Sequence, residues 1–347
     1  MNPAAEIALE QHIADAWPVA AWRDSHVALG VSSGPDSVAM LRAVMSIKAH
    51  GGGRGRLFVA HFNHAARGAD ADADQGWLDA LCRRLGVPLE TARADTSIAC
   101  STGDGWEAAA RAARYRFLTE TSEKFGARFV AVAHTANDQV ETVLHRILRG
   151  TGLAGLAGMR PSRPLSPSVA LVRPLLRASR RDVLEYLAAI GQDYRTDPTN
   201  SHTRWTRNRL RNELLPHLRE RYNSAVDDAL LRLAAQADET QQVIDRVVAE
   251  LVRECVVVER STQPAVENKG LRVCLHCDRL HTAPMLLIRE VCRAAWRDAD
   301  WPMQAMGFDE WQAVAELVQG RREAPINLPG GVRACRVRDT VQLDASA

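Results

Sequence analysis

The sequence predicts an α/β fold, with a doubly wound, Rossmann-like parallel sheet followed by a mainly helical C-terminal domain. Between residues 26 and 190, short apolar runs alternate with helix-like segments, an order typical of parallel sheets covered by helices on both faces. In the last third, Leu and Val recur at the three- and four-residue spacing of amphipathic helices. Ligands of doubly wound sheets bind at the carboxyl ends of the strands, so functional residues are expected there.

The predicted elements follow one another in strand–helix order. Strands are predicted within residues 26–31, 56–62, 86–95, 128–134 and 169–176. Helices are predicted over residues 36–50, 70–86, 105–125, 137–149 and 179–190. One long helix over 223–255, two amphipathic helices within 279–319 and a hairpin within 326–343 complete the chain. We therefore divide the chain into domains 1–220 and 221–347.

Composition favours a globular protein of the reducing cytoplasm. The 347 residues are 46% hydrophobic and 25% charged, as in ordinary soluble domains. No apolar run is long enough to span a bilayer, and acidic residues interrupt the N-terminus before any signal-like core. The seven cysteines are scattered, which suits reduced thiols. Cys274 and Cys277 form a single CxxC without a second pair at zinc spacing, so a structural role is favoured over metal binding.

Positive charge is concentrated in one part of the chain. Residues 143–222 contain 15 Arg and no Lys against six Asp and Glu, a local excess of nine charges, although the whole chain carries only +2. Such an excess is typical of a surface that meets a polyanion. A solvated basic face or a dimer surface would also explain it, but Arg binds phosphate through a bidentate fork, which favours phosphate contact within this segment. The residues chosen for it are Arg149, Arg204, Arg207 and Arg211.

The stretch "HVALGVSSGPDSVAML" (26–41) passes from a strand directly into a helix. Three explanations fit it: a simple turn with a helix cap, the G-x-S-x-G elbow of a serine hydrolase, and a phosphate-binding loop. The hydrolase explanation fails because a nucleophile elbow follows several earlier strands, and only about 25 helix-like residues precede this one. The G-x-x-x-x-G-K-[ST] pattern of P-loop proteins is also missing.

Two further polar clusters follow predicted strands. The second strand leads into His61, Asn63, His64 and Arg67. The fourth leads into His134, Asp138 and Glu141, and the two acids share a helical face because they are three residues apart. Strand ends of a parallel sheet lie at one edge, so these clusters and the "SSGPDS" loop are predicted to converge on one cleft.

The loop "SSGPDS" (32–37) resembles the S-G-G-x-D-S loop of the N-type ATP pyrophosphatases, the PP-loop proteins. Five longer segments are similar to the tRNA(Ile)-lysidine synthase family: "AHFNHAARGADADAD" (60–74), "EAAARAARYRFL" (107–118), "AHTANDQVETVLHRILRGTGLAGLAGM" (133–159), "RPLLRASRRDVLEYL" (173–187) and "DPTNSHTRWTRNRLRNELLP" (197–216). The resemblance is dense over residues 26–220. It implies a PP-loop ATPase fold for residues 1–220 and a tRNA-positioning domain for residues 221–347.

The resemblance also implies a reaction. ATP adenylates C2 of the wobble cytidine in the CAU anticodon of tRNA(Ile), and the ε-amine of L-lysine then displaces AMP to give lysidine. The implied cofactors are ATP and Mg²⁺, with Asp36 as the metal ligand. The implied ATP-binding residues are Ser32, Ser33, Gly34, Pro35, Asp36, Ser37, His61 and Asn63. The implied catalytic residues are Asp36, His134, Arg111 and Arg114 at the α-phosphate, with Asp138 and Glu141 for lysine.

Three positions depart from the family pattern. Ser33 stands where the loop has its first Gly, and a positive φ there would cost on the order of 1 kcal/mol. Thr135 and Asn137 stand where many relatives have His and Asp. The further C-terminal domain of longer relatives is also expected to be missing.

Alternatives to a lysidine synthase remain open from the sequence. One is a PP-loop tRNA thiolase, although no Cys lies in the strand-end clusters. The other is a non-catalytic tRNA-binding protein whose ATP loop has decayed at Ser33. The sequence leaves the oligomeric state open between a monomer and a homodimer.

Overall fold

The structure is a computed structural model that describes residues 3–65, 68–94, 104–196, 206–260 and 271–345. The chain divides into two compact units, Met1–Asp238 and Glu239–Ala347. The first contains the predicted α/β domain. The functional roles expected for domains 1–220 and 221–347 stay a prediction.

A six-stranded sheet forms the centre of the first unit. Its strands are β1 (His26–Gly30), β2 (Leu57–Asn63), β3 (Leu89–Arg93), β4 (Ala127–Val132), β5 (Ser162–Pro164) and β6 (Ala170–Val172). They lie in the order β3-β2-β1-β4-β6-β5. All neighbours pair in parallel except β5, which runs antiparallel to β6 at the edge. The order reverses between β1 and β4, which makes their carboxyl ends the switch point where such sheets bind ligands.

Helices cover the sheet on both faces. They are α1 (Pro3–Ala16), α2 (Pro35–Gly51), α3 (Ala69–Leu85), α4 (Asp104–Lys124), α5 (Ala136–Leu148), α6 (Leu153–Leu156) and α7 (Arg180–Ala189). A broken helix follows, with α8 (Thr206–Arg209), a π-helical turn (Leu210–Leu214) and α9 (Leu215–Arg221). The long helix α10 (Val226–Cys255) continues from the first unit into the second.

Alternate residues of β1 belong to two separate cores. Val27 and Leu29 are fully buried in a cluster that includes residues of α1, α2 and α7. Ala28 faces the other way, into a cluster that contains Leu118 of α4 and Val130 of β4. Because a strand points successive side chains to opposite faces, both faces of β1 must be covered by apolar residues. This explains the apolar run in the sequence and confirms the doubly wound fold class.

The second unit combines helices with an antiparallel sheet. The sheet runs in the order β7 (Val256–Arg260), β8 (Leu271–His276), β11 (Thr340–Ala345), β10 (Val332–Val337) and β9 (Ile326–Leu328). Its further helices are α11 (Cys277–Leu280), α12 (Met285–Asp298) and α13 (Phe308–Gln319). The buried ring of Trp296 lies 4.8 Å from that of Trp301 and 5.7 Å from that of Trp311, edge to face. The three tryptophans therefore belong to a structural core.

Most predicted elements are present within one to a few residues of their predicted bounds, including the hairpin of β10 and β11. Strands β5, β7 and β8 were not predicted.

Cys274 and Cys277 are both buried free thiols, and burial raises the pKa of each. In the described part of the chain no helix combines the length and apolar character that a membrane span requires.

The turn before β2 requires glycine for steric reasons. The amide of Gly55 donates to the carbonyl oxygen of Arg23 at 2.9 Å, which holds this turn against the segment before β1. A Cβ on Gly55 would lie 1.9 Å from the carbonyl oxygen of Ser25, whereas a Cβ on Gly76 within α3 would meet nothing within 4 Å.

We therefore expect opposite effects from two Gly→Ala substitutions. Gly55→Ala should lower the free energy of unfolding by about 1–3 kcal/mol, because backbone must shift to admit the methyl group. Gly76→Ala, the matched control, should raise it by about 0.5–1 kcal/mol, because Ala is the better helix former. Urea unfolding of the two variants measures both. Equal stability for Gly55→Ala and the unsubstituted protein would contradict the steric explanation.

Candidate active site

The loop between β1 and α2 is closed by the side chain of Ser37. Its Oγ accepts a hydrogen bond from the amide of Ser32 at 3.0 Å. The same Oγ lies 2.7 Å from the carbonyl oxygen of Ser32 and 2.9 Å from that of Gly34, so its proton can be donated to either. Pro35 takes the first position of α2, where its missing N–H costs no helical hydrogen bond. The loop is thus fixed at the N-terminus of a long helix, a place that favours anions.

Ser33 fits this loop without backbone strain. In the described residues, the only non-glycine positions with positive φ are Ala65, Asp300 and Arg338. The conformation that would penalise Ser at position 33 is therefore not adopted. The carbonyl oxygen of Ser33 accepts from the amide of Arg195 at 2.9 Å, which ties a distant segment to the loop.

A cavity of about 610 Å³ opens beside this loop. That volume is within the range of small-molecule and cofactor sites. Among the described residues it is lined by Ser32, Ser33, Gly34, Pro35, Asp36, Asp74, Thr135, Asn137, Asp138, Glu141, Arg180, Arg195, Thr196, Arg211, Leu215 and Arg219. The "SSGPDS" loop therefore meets Asp138 and Glu141 of the third predicted cluster in one cleft, at the switch point of the sheet, whereas His134 is not among the described residues that line it.

Asp36 enters the cavity from the first turn of α2. Its Oδ1 accepts from Nη1 of Arg180 at 2.5 Å. Burial raises the pKa of the Asp36 carboxyl, and the charge of Arg180 opposes that rise. Arg180 is itself held in place, because its amide donates to Oδ1 of Asn137 at 2.9 Å. An Asp at position 137 would offer the same acceptor, which explains why Asn is tolerated there.

The cluster after β2 does not line this cavity. His61 is buried, and its Nδ1 lies 2.9 Å from the carbonyl oxygen of Val31, so Nδ1 carries the proton. Burial lowers the pKa of His61, which keeps the ring neutral. Asn63 donates to Asp72 and Gln75 at 3.1 and 3.0 Å and fixes the following loop. Both residues support the sheet edge, and their predicted contact with ATP stays a prediction. Arg67 lies outside the described residues.

His134 is held as a neutral hydrogen-bond donor. Nε of Arg173 donates to its Nδ1 at 3.2 Å, which leaves the ring proton on Nε2. Burial lowers the pKa of His134 to about 3. Asp138 opposes this shift, whereas the charges of Arg173, Arg114 and Arg111 reinforce it. His134 can therefore donate a hydrogen bond to a phosphate oxygen at neutral pH but carries no positive charge.

Asp138 and Glu141 lie on one face of α5, as their spacing predicts. Asp138 caps its own helix, because Oδ2 accepts from the amide of Thr135 at 2.9 Å. Its Oδ1 accepts from Nη2 of Arg207 at 2.9 Å. The buried Glu141 accepts from Nε of Arg207 at 2.9 Å and from Nε of Arg211 at 2.5 Å. Burial acts to raise the pKa of Asp138, but Arg207 and the Thr135 amide outweigh it and lower the pKa.

The arginines that were predicted to contact RNA phosphate or the α-phosphate of ATP lie in different surroundings. Arg207 and Arg211 were assigned to RNA phosphate, and the structure instead engages both with the acidic pair. Arg149 is exposed at the end of α5, and Arg204 lies outside the described residues. The guanidinium of Arg114 lies near the end of β1, where its Nη2 is 3.7 Å from the Cβ position of Gly30. Arg111 is exposed on α4 and packs its guanidinium 4.9 Å from the ring centre of Tyr115.

Sequence reasoning missed Arg173, Arg180 and Arg195. Arg173 orients His134, Arg180 pairs with Asp36, and Arg195 forms an ion pair with Asp74. Each partner lies between 39 and 144 residues away along the chain. Arg173 and Arg180 lie in the segment "RPLLRASRRDVLEYL" (173–187), whose resemblance to the family was a signal for them, and all three lie in the Arg-rich part of the chain.

Comparison with known proteins gives the class first. Residues 1–218 match the family model described as a PP-loop domain. The solved structure of the U34-tRNA thiolase NcsA from Methanococcus maripaludis, with its [4Fe-4S] cluster, has a TM-score of 0.55 over 68% of this chain and 80% of that chain. At 14% identity it shows a shared fold.

Curated relatives then give the family. The tRNA(Ile)-lysidine synthase of Rhodopirellula baltica is 30% identical over 89% of this chain and 84% of that protein. That of Symbiobacterium thermophilum is 34% identical over 88% of this chain and 62% of that protein. That of Geobacter sulfurreducens is 34% identical over 84% of this chain and 59% of that protein. The chain belongs to the tRNA(Ile)-lysidine synthase family of PP-loop proteins.

The environment of His134 predicts how its ring titrates. Because burial and neighbouring cations lower its pKa to about 3, the ring should stay neutral from pH 8 down to pH 5, with the proton on Nε2. An unfolded chain takes up that proton near pH 6.5, so this group should reduce stability as the pH falls below that value. Long-range ¹H–¹⁵N correlation spectra, assigned with a His134→Gln variant, measure the tautomer. Titration of this ring between pH 5 and 8 would contradict the prediction.

Proposed function

We propose that this protein modifies the isoleucine tRNA that bears a CAU anticodon. ATP adenylates C2 of the wobble cytidine, and the ε-amine of L-lysine then displaces AMP to form lysidine. The observation that carries the proposal is the cleft itself. It combines an unstrained PP loop, the carboxylate of Asp36 in the first helical turn and the carboxylates of Asp138 and Glu141 within one cavity of about 610 Å³. His134, a neutral donor, directly precedes Thr135, which lines the same cavity.

The first half-reaction is assigned to the PP loop and its neighbours. The loop amides and the N-terminus of α2 would bind the phosphates of ATP. Asp36 fits a magnesium site, because its carboxylate lines the cavity and Mg²⁺ is commonly held by one or two carboxylates plus substrate phosphates. When bound, Mg²⁺ would neutralise phosphate charge. Nε2 of His134 would donate to an oxygen of the α-phosphate, and Arg114 would add positive charge near the end of β1.

The second half-reaction is assigned to Asp138 and Glu141. An ammonium group needs a carboxylate oxygen, yet Arg207 and Arg211 already occupy this pair. Both guanidiniums are about two-fifths exposed, at 41% and 42%, so they can turn outward. We infer that RNA phosphates draw them away, which would release the carboxylates for lysine. One carboxylate would then orient the amine while the other accepts its proton as the C–N bond forms.

A direct assay tests the proposed function. Full-length protein is incubated with labelled L-lysine, ATP and unmodified tRNA(Ile) transcript, and digested nucleosides are analysed by mass. Lysidine at the wobble position, with release of AMP and pyrophosphate, is the expected result. A sulfur-containing nucleoside formed with a sulfur donor would support the thiolase alternative, although none of the described residues that line the cavity is a cysteine. RNA binding without pyrophosphate release would support the non-catalytic alternative.

Asp36→Ala should abolish adenylation and leave tRNA binding nearly unchanged. The substitution removes the proposed metal ligand, so pyrophosphate release should fall by at least about a hundredfold. Asp79→Ala is the matched control, because that carboxylate is paired with Arg83 on the surface of α3. Near-normal pyrophosphate release by Asp36→Ala would overturn the assignment.

Asp138→Asn and Glu141→Gln should separate the two half-reactions. Both variants should still release pyrophosphate, but lysine transfer from preformed adenylated tRNA should slow, because the amine loses its proton acceptor. Asp182→Asn is the control: Asp182 occupies the same capping-box position on α7 without facing this pair. Wild-type single-turnover transfer rates in both variants would leave the carboxylates a capping and ion-pairing role only.

A further inference from the structure

Two groups of arginines differ in their contacts, one within residues 143–222 and the other beside α4. In the first, every guanidinium contacts a carboxylate. Its pairs are Arg180–Asp36, Arg195–Asp74, Arg207–Asp138, Arg207–Glu141, Arg211–Glu141 and Arg219–Asp227. The cavity is therefore close to electrically balanced, and the positive excess of the segment must lie elsewhere.

The second group surrounds Tyr115 of α4. The guanidinium carbons of Arg111 and Arg163 lie 4.9 and 5.0 Å from the centre of the Tyr115 ring, within cation–π distance. We call Arg111, Tyr115 and Arg163 the basic stack. Within the described residues no carboxylate pairs with either arginine, and Arg163 donates only to the neighbouring carbonyl oxygen of Pro164, at 3.3 Å.

The buried Arg173 and the half-buried Arg146 add to the positive charge here. Arg173 donates from Nη1 to the carbonyl oxygen of Arg160 at 2.6 Å, and Arg146 donates to those of Gly155 and Gly158 at 2.9 and 2.8 Å. Burial lowers the pKa of Arg173, and the charges of Arg163 and Arg111 lower it further. Burial, followed by the charge of Arg111, also lowers the pKa of Arg146. Tyr115 and the backbone carbonyls partly offset the positive charge of these arginines, and the like charges that remain close together favour an anion here.

The basic stack is connected to His134 through Arg173. Nε of this residue contacts Nδ1 of His134, while Arg163 and Arg111 act on its charge. A strand that brings a reacting atom to His134 would therefore place its flanking phosphates toward the stack. Planar guanidiniums bind phosphate oxygens in pairs and also stack on bases, which suits RNA.

We propose that the basic stack binds the RNA backbone beside the nucleotide presented to the cleft. The inference rests on the proposed function, which places an RNA anticodon at this site. It adds Arg163 as a phosphate contact within residues 143–222 that, unlike Arg207 and Arg211, does not first have to leave a carboxylate. A polyanion is favoured over a free nucleotide, because the loop between β1 and α2 already offers a nucleotide its phosphate site.

Arg163→Ala and Arg163→Lys test this inference by direct binding of unmodified tRNA(Ile) transcript, without catalysis. Removal of one phosphate contact should reduce the slope of log Kd against log salt by about 0.7–0.9. Affinity should fall roughly tenfold for Arg163→Ala and less for Arg163→Lys, which keeps the charge but loses the fork. Arg181→Ala is the control, because Arg181 is exposed on α7 and pairs with Glu185.

Turnover distinguishes this inference from the proposed function. The KM for tRNA should rise in Arg163→Ala, while kcat at saturating tRNA and the KM for ATP stay unchanged. An unchanged salt slope, or an equal loss in Arg181→Ala, would overturn the RNA-binding role of the stack. A raised KM for ATP alone would assign the stack to the nucleotide. Lysidine formation by the unsubstituted protein tests the proposed function separately, since the salt slope is measured whether or not the reaction occurs.

Discussion

The parallel pairing of β1 with both β2 and β4 is the constraint on which the site depends. Gly30 pairs with Ala60 on one side and with Val132 on the other, so β1 and β4 end at one level and β2 extends beyond them to Asn63. The turns that follow them must therefore lie along one edge. A Cβ on Gly30 would be 3.2 Å from Cγ1 of Val132, so the close approach of β1 and β4 favours the smallest residue at this end. The cleft follows from this packing.

Acidic and basic side chains inside the cleft balance one another's charge. A buried carboxylate without a partner is costly, and each acidic residue of the cleft is compensated by an arginine from a distant segment. Such pairs hold the site in order before substrates arrive. Under the proposed function, ligands would bind by exchange, because a phosphate or an ammonium group would replace a partner that is already present.

Much of the fold was predictable because it depends on local patterns. The apolar runs gave five strands of the parallel sheet, and the 3.6-residue period gave the helices between them. Strand β5 was missed because three residues containing Pro164 have no recognisable period. Strand β7 was missed because "VVVER" follows the long helix without an intervening turn residue, and only pairing with β8 defines it as a strand.

For the site, the sequence by itself determined the candidate residues that belong to short motifs. These are the "SSGPDS" loop, the His at the end of β4 and the acidic pair at positions i and i+3 of one helix. Only the tertiary structure decided the partners. It joined Arg180 to Asp36, Arg173 to His134, and Arg163 to Tyr115, across separations of 144, 39 and 48 residues. Local sequence determines backbone preference and which residues share a helix face. Which charged side chains pair depends on how distant segments pack, because such contacts leave no periodic pattern in the sequence.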